Sequence, residues 1–447
     1  MKSNCIFIES TFIYISGCVY GSVTYLKFSL VDFIKEKLSE LMNSDTDEEN
    51  PNSPIISIKK FEDIHIDPNL LKAVYAAGFN RPSKIQANAL PLLLADPPLN
   101  LVAQSQSGTG KTAAFVLAML TRVDTDLDYP QVICMCPTYE LAIQTGEICA
   151  KFSQYMNKIN MIFAVRGEFV PRSTQLNQQI VIGTPGKVMD WGTKYKCFDL
   201  KKIRVFILDE ADTMVSTQGH RGHCLRVHRE LDRSCQMIFF SATYDEKVLD
   251  FVSRMVSNPK IIRLTRDEEC LDNIKQYYVM CRGEESKYTA IQNIYGGITI
   301  GQAIIFCNTR LSASWLAKKL TTDGHSVAVL SGEFDVGQRL SILDRFRAGL
   351  EKVLVATNVL SRGIDVAQVT IVVNFHMPTV AGTENPDYDT YLHRIGRTGR
   401  FGKHGIAINL INSDNDMHLS RSFETHFKKP ILLLNTNDSD EVQNLEN

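Results

Sequence analysis

Two successive series of short apolar runs, each separated by helix-length segments, restrict this chain more than any other feature of its sequence. The first reads NLVAQ, QVICMCP, INMIFAV, QIVIG, IRVFILDEAD, CQMIFFSAT and PKIIRL between Ile55 and about Leu264, and the second reads IKQYYVM, AIIFCNT, SVAVLS, KVLVATN, TIVVNF and GIAINLI. Runs without apolar–polar alternation are strands buried on both faces, and their alternation with helices makes a parallel sheet covered on both sides. A chain of 447 residues exceeds what one core usually holds. The charged stretch TRDEECLDNIK separates the two series, so we expect two related α/β domains, residues 55–268 and 269–447, with a cleft between them. The composition, 44% hydrophobic and 22% charged, excludes a disordered, collagen-like or multi-span membrane chain.

Residues 1–54 differ in character. From Cys5 to Leu26 the only formal charge is Glu9. A weak membrane anchor or poor signal peptide stands against an unstructured extension; Ser, Thr, Gly and Tyr residues and the lack of a small-residue cleavage site favour the extension, and no stable membrane insertion is expected. Val31, Ile34, Leu38, Leu41 and Met42 recur at helical spacing and predict an amphipathic helix over 28–42; NSDTDEENPNSP then reads as an acidic linker. The eleven cysteines include no C-x-x-C pair and no zinc-like spacing with histidine, so they read as reduced thiols in a reducing compartment. With 48 basic and 50 acidic residues, any nucleic-acid partner must be held by local clusters rather than a global field.

Three segments carry phosphate chemistry. Ser105-Gln106-Ser107-Gly108-Thr109-Gly110-Lys111-Thr112 lies between an apolar strand and a helical segment. Its glycines let backbone N–H groups close on phosphates, Lys111 reaches the β/γ-phosphates and the Thr112 hydroxyl ligates Mg²⁺, although Ser105 stands where the generic loop has its first glycine. A flexible loop capping a helix is the plainer reading of that segment alone. IRVFILDEAD places Asp209 and Glu210 at the carboxyl end of a strand, where Asp209 can hold Mg²⁺ and Glu210 can orient and deprotonate water. Finally, His393-Arg394-Ile395-Gly396-Arg397-Thr398-Gly399-Arg400 spaces guanidinium groups three apart, which suits a clamp on a transferring phosphate supplied from the opposite domain.

In order along the chain, these segments and GFNRPSKIQ, PTYELA, TPGK, SAT, IIFCNTR and TNVLSRGID resemble the DEAD-box RNA helicase family from about Pro51 onward, and PTYELA, TQGH and NPDYDTYLHRIGRTGRFGK are most similar to its mRNA-export subgroup, which works at the nuclear pore. The resemblance implies two tandem RecA-like domains and an RNA-stimulated ATPase, using ATP and Mg²⁺, that opens short duplexes or displaces protein from single-stranded RNA and messenger ribonucleoprotein; a nucleotide-gated RNA clamp with little turnover is the alternative. It also implies roles. Gln86 would read the adenine edge and Phe79 stack on it; Gly363 and Asp365 would meet the nucleotide from the second domain, with Arg397 and Arg400 on its phosphates. Ser241, Thr243, His393 and Arg394 would couple the nucleotide site to the RNA-bound closed form. RNA would touch Pro137, Thr138, Arg166, Gly167, Thr184, Pro185 and Gly186 in the first domain, and Thr309, Arg310, Gly332, Thr357 and Arg362 in the second, through phosphates and 2′-hydroxyls.

Departures from the family pattern are Tyr139 for the commoner arginine, Ser361 for alanine and His376 for aspartate, with weakened RNA coupling as the expected consequence. The subgroup further suggests a monomer in cytoplasm and nucleus. It suggests an acidic pore protein docking on Arg221, Arg226 and Arg229, an export activator, and an inhibitory role for the 28–42 helix.

Overall fold

The computed structural model describes residues 6–9, 12–19, 22–29, 57–105, 108–172, 174–262, 273–298, 300–357, 368–399 and 403–446. The chain divides into two compact units, Met1–Ile55 and Ile56–Asn447.

In the first unit, β1 (Ile6–Glu9), β2 (Phe12–Val19) and β3 (Ser22–Ser29) form an antiparallel sheet in sequential order, with Ile6 opposite Ile15 and Phe12 opposite Ser29. This corrects the expectation of an unstructured extension: β-branched and aromatic residues, which favour strands, dominate the segment. Among the described residues no helix is long and apolar enough to cross a membrane. Phe28 and Ser29, expected to start the amphipathic helix, belong to β3; the rest of that helix and the acidic linker lie outside the described residues.

The second unit contains two parallel seven-stranded sheets. The first joins β4 (Leu101–Gln104), β5 (Val132–Met135), β6 (Met161–Ala164), β7 (Ile180–Gly183), β8 (Val205–Leu208), β9 (Gln236–Ser241) and β10 (Lys260–Ile262) in the order β10-β4-β9-β8-β5-β7-β6. The second joins β11 (Ile274–Met280), β12 (Gln302–Cys307), β13 (Val327–Leu330), β14 (Val353–Thr357), β15 (Val369–Asn374), β16 (Gly405–Ile411) and β17 (Ile431–Leu433) in the order β13-β14-β12-β15-β16-β11-β17.

Every residue of β5, β7, β8, β9, β12 and β14 is buried, as the unalternating apolar runs require. In β4, Leu101 and Ala103 enter one core layer with Phe115 and Phe240, while Val102 enters the opposite layer with Phe206 and Phe239. This is a doubly wound α/β architecture repeated twice, the tandem RecA-like arrangement expected. The segment 263–272 between the sheets lies outside the described residues. Cys134, Cys136, Cys149, Cys197, Cys224, Cys235, Cys281 and Cys307 are all buried and free of disulfides.

Candidate nucleotide and RNA site

The carboxyl ends of β4, β8 and β9 bring the phosphate chemistry together, because these three strands are neighbours in the first sheet. Ser105 follows β4 and donates its N–H to Ser241 O at 2.9 Å, tying the phosphate loop to β9. Only Gly108 (φ 82°) and Gly110 (φ 99°) need left-handed backbone among the described loop residues. Ser105 does not, and its buried hydroxyl pairs with Thr109 Oγ1 across the loop, so serine is accommodated where the generic loop has glycine. Gly110 is the N-cap of the helix Lys111–Arg122. Gln106 and Ser107 lie outside the described residues.

Lys111 is buried, and its Nζ has no hydrogen-bond partner among the described residues. A buried, unpartnered ammonium beside phosphate-loop N–H groups fits an anionic ligand, since leaving it unpaired is costly. Asp209 and Glu210 leave β8 and are both 3% exposed. Burial pushes the Asp209 carboxyl up to about 6, with Lys111 opposing the rise and Glu210 adding to it. Asp209 Oδ1 accepts the Glu210 N–H at 3.0 Å, and Glu210 holds a left-handed backbone (φ 49°, ψ 61°). That conformation costs a non-glycine residue on the order of 1 kcal/mol or more, and here it starts the helix Ala211–Ser216 immediately after the strand. Among the described residues no three His, Cys, Asp or Glu side chains form a metal cage. Thr112 and Asp209 suit a Mg²⁺ held largely by phosphate and water, the usual habit of that ion.

Gln86 lies in the helix Lys84–Leu93, begun by a reciprocal cap: Ser83 Oγ accepts the Gln86 N–H at 3.4 Å and Gln86 Oε1 accepts the Ser83 N–H at 2.9 Å. Its Nε2 donates to Gly110 O at 3.0 Å. Both ends of the amide are therefore engaged by protein, and reading an adenine edge requires exchanging one of these bonds for the base. Phe79 is half-buried and meets Phe152 edge-on at 5.3 Å.

Buried Asp212 and Ser241 and half-buried Thr243 form one network. Ser241 Oγ accepts the Asp212 N–H at 3.1 Å and donates to Thr243 O at 2.8 Å, while Thr243 Oγ1 donates to Asp212 Oδ2 at 3.3 Å. From the second sheet, His393 Nε2 lies 3.4 Å from the same Asp212 oxygen, both residues 2% exposed. His393 O accepts from Arg397 Nε at 2.8 Å, so Arg397, 3% exposed, is fixed to the helix turn that meets Asp212.

Arg394 departs from the phosphate-clamp reading. Its guanidinium is fully buried within the second domain, donating to Asn374 Oδ1, His376 O and Asn308 Oδ1 at 2.8–3.0 Å and covering the Phe306 ring. It joins three chain segments instead. Arg400, Gly363, Asp365, Arg362 and Ser361 lie outside the described residues.

The expected RNA residues sit on the other half of each sheet. Pro137 and Thr138 follow β5, Arg166 and Gly167 follow β6, and Thr184, Pro185 and Gly186 follow β7; these are three adjacent strands. Thr309 and Arg310 follow β12, Gly332 follows β13 and Thr357 ends β14, again adjacent. Thr138 and Thr309 cap their helices through their side chains, accepting the N–H groups of Leu141 and Ser312 at 3.3 and 3.1 Å, whereas Pro137, Pro185 and Thr357 are buried. Arg166, Gly167, Arg310 and Gly332 are exposed.

Sequence reasoning missed one pair. Arg339, in the helix Val336–Arg347 of the second domain, lies 3.1 Å from the 3%-exposed carboxylate of Glu140 in the helix Tyr139–Ser153 of the first. An acidic residue inside the apolar PTYELA was the available signal, since a buried carboxylate demands a partner.

Two parallel α/β domains, a phosphate loop on one and, from the other, a helix whose His393 meets Asp212 in the network beside that loop, define a nucleotide-dependent motor of the helicase class. Residues 83–251 match the DEAD/DEAH box helicase model and residues 286–402 the helicase conserved C-terminal domain model, and the chain belongs to the DEAD-box helicase family. It is 60% identical over 404 residues to the DEAD-box helicase Dbp80 of Drosophila melanogaster (90% of this chain, 88% of the relative). It is 54% identical over 398 residues to the human ATP-dependent RNA helicase DDX19A (89% and 83%). Among solved structures, Saccharomyces cerevisiae Dbp5 bound to RNA and ADP BeF3 superposes with a TM-score of 0.81 at 43% identity, covering 87% of this chain and 98% of that one. A Dbp5 variant from the same yeast, bound to Nup159, a Gle1 variant, IP6 and ADP, gives 0.64 at 41% identity (86% and 98%).

Proposed function

We propose that this protein is an ATP-dependent RNA helicase that remodels messenger ribonucleoprotein during mRNA export. The observation that carries the reading is the buried, unpartnered Lys111 Nζ on a phosphate loop whose neighbouring strands present Asp209, Glu210 and Ser241, with His393 of the second domain meeting Asp212 in the Ser241 network.

Lys111 and the loop N–H groups bind the β/γ-phosphates of ATP, and Thr112 and Asp209 hold Mg²⁺, which when bound neutralises phosphate charge. Glu210 orients the attacking water and accepts its proton. Arg397 and Arg400 stabilise charge on the transferring phosphoryl group, so hydrolysis needs both domains. Single-stranded RNA runs over the two strand-end clusters, held through phosphates and 2′-hydroxyls without base reading. Its affinity then falls with salt, by about 0.7 decade per decade of salt for each phosphate neutralised.

The Dbp5 complexes with RNA and with Nup159 and Gle1 support an RNA partner, a pore protein and an export activator, and with them a place at the nuclear pore and in cytoplasm and nucleus; that the pore protein is acidic and that the chain acts as a monomer are part of the proposal. Arg226 and Arg229 are exposed and available to the pore protein, Arg229 lining a cavity of about 460 Å³ beside Phe198, Leu200 and Leu231. Arg221, part-exposed, is paired with Asp250 at 2.6 Å on the same surface.

ATP turnover with and without single-stranded RNA, comparing the parent with Glu210→Gln, tests the reading. RNA should stimulate the parent; the variant should retain ATP-dependent RNA binding while losing turnover by about a hundredfold or more, the usual worth of a positioned general base. RNA binding by a parent that RNA does not stimulate would instead indicate a clamp.

A further inference from the structure

His376 stands where the family pattern has aspartate; one of its ring nitrogens meets the segment that begins with Asn308, Thr309 and Arg310, and the other meets Glu284 on a neighbouring helix. Nδ1 accepts the Asn308 N–H at 3.2 Å. Nε2 lies 3.5 Å from Glu284 Oε1, which accepts from Ser312 Oγ at 3.1 Å; that hydroxyl in turn accepts from Thr309 Oγ1 at 3.0 Å. The Asn308 side chain is fixed from two further directions, donating to Met377 O and accepting from Arg394. A ring of polar contacts thus encloses the backbone that presents Thr309 and Arg310, and one member can lose its acceptor by taking up a proton.

We propose that His376 is a positioning residue that holds the Asn308–Arg310 segment in its RNA-contacting geometry only while its imidazole is neutral, so that acidification weakens RNA binding. The proposal rests on the reading of Thr309 and Arg310 as RNA contacts. A proton on Nδ1 sets two donors face to face, and the Asn308 N–H loses its partner. The charged groups around the ring divide. Glu284, on the helix Glu284–Gly297, and Asp416, on the helix Asp414–Phe427, favour the imidazolium; Lys287, on the first of these helices and donating to Phe375 O at 2.7 Å, opposes it. Arg394 meets the His376 carbonyl at 2.8 Å rather than the ring. Burial, aided by Lys287, moves the histidine below its ordinary value of 6.5, so the neutral form persists at neutral pH and the transition falls on the acid side of that value.

Binding of a short Cy3-labelled oligouridine to the full chain, saturated with Mg²⁺ and a non-hydrolysable ATP analogue, measured from about pH 7.5 to about pH 5.5, decides the matter across the imidazole range. His376→Asn keeps an oxygen to accept the Asn308 N–H and does not titrate; His376→Gln, equally free of a titrating group, serves if the first variant folds poorly. The parent should lose about two- to tenfold more affinity over this range than either variant, the usual worth of one hydrogen bond. An equal acid loss in parent and variant overturns the proposal. Arg310→Ala separates this from the underlying reading: it should weaken binding throughout the range, and unchanged binding by that variant means the segment does not contact RNA.

Discussion

At the residue scale, the phosphate loop depends on Gly110 for two independent reasons. Its φ of 99° is strained for any L side chain, and an added Cβ would stand 2.5 Å from Gln86 Nε2. Gly110→Ala should therefore break the Gln86–Gly110 bond and tilt the start of the helix that carries Lys111, lowering ATP affinity by about tenfold or more, given about 1 kcal/mol of strain and about 1 kcal/mol for the lost bond. Combined with Gln86→Ala, which removes the same contact, the loss should be well short of the product of the single effects, because contacting residues are not additive. Titration with a fluorescent nucleotide checks both outcomes. The placement of Lys111, Asp209 and Glu210 at the carboxyl ends of buried strands was legible in the sequence because strand-to-loop position follows from a local pattern. The engagement of Gln86 was not: its second bond spans 24 residues, and only the folded contact shows that the residue expected to read adenine also braces the loop.

At the element scale, the parallel sheets were legible because strands buried on both faces leave a mark that alternation cannot imitate. Arg394 shows where local reading stops: three arginines at equal spacing look equivalent, yet the turn of the helix Tyr388–Ile395 sends Arg394 into its own domain toward Asn308 and Asn374. The 1–29 segment failed for a different reason, since few charges among aromatic and β-branched residues suit an anchor, a loose extension or a small antiparallel sheet alike. Close strand packing also separates the two ligand surfaces. A Cβ on Gly183, the last residue of β7, would lie 2.2 Å from Ala164 O on β6. Gly183→Ala should push these strands apart, destabilise the protein by about 1–3 kcal/mol as overpacked sites do, and weaken RNA binding through Arg166 and Thr184. Nucleotide affinity, set by β4, β8 and β9, should change little. Denaturant unfolding together with the two binding titrations distinguishes this pattern from general unfolding, in which both affinities fall.

For the whole molecule, the issue is what makes turnover depend on both domains being engaged. Among the described residues two contacts between them bear on this: His393 with Asp212, both buried, beside the nucleotide site, and Arg339 with the buried Glu140 beside the RNA surface. They differ in what they can report. His393 sits next to Arg397 and the Ser241–Thr243 network, so its replacement disturbs chemistry and closure together. Arg339 Nε meets a carboxylate that is 3% exposed, on a residue given no role at the nucleotide. Removing one partner of such a pair strands the other, at a cost of about 3–5 kcal/mol wherever the contact is buried, while each domain remains intact. Opening the cleft relieves that cost by letting water reach Glu140. Arg339→Ala should therefore shift the molecule toward the open form. RNA-stimulated ATPase should fall by about a hundredfold or more at fixed RNA, the scale set by that free energy, while nucleotide affinity without RNA stays near the parent value. The double variant Arg339→Ala with Glu140→Ala leaves no stranded carboxylate and should recover part of the lost stimulation. Steady-state ATPase over a range of RNA concentrations measures this directly: recovery assigns the pair to closure, whereas a double variant as defective as Arg339→Ala alone would place Arg339 on the RNA instead.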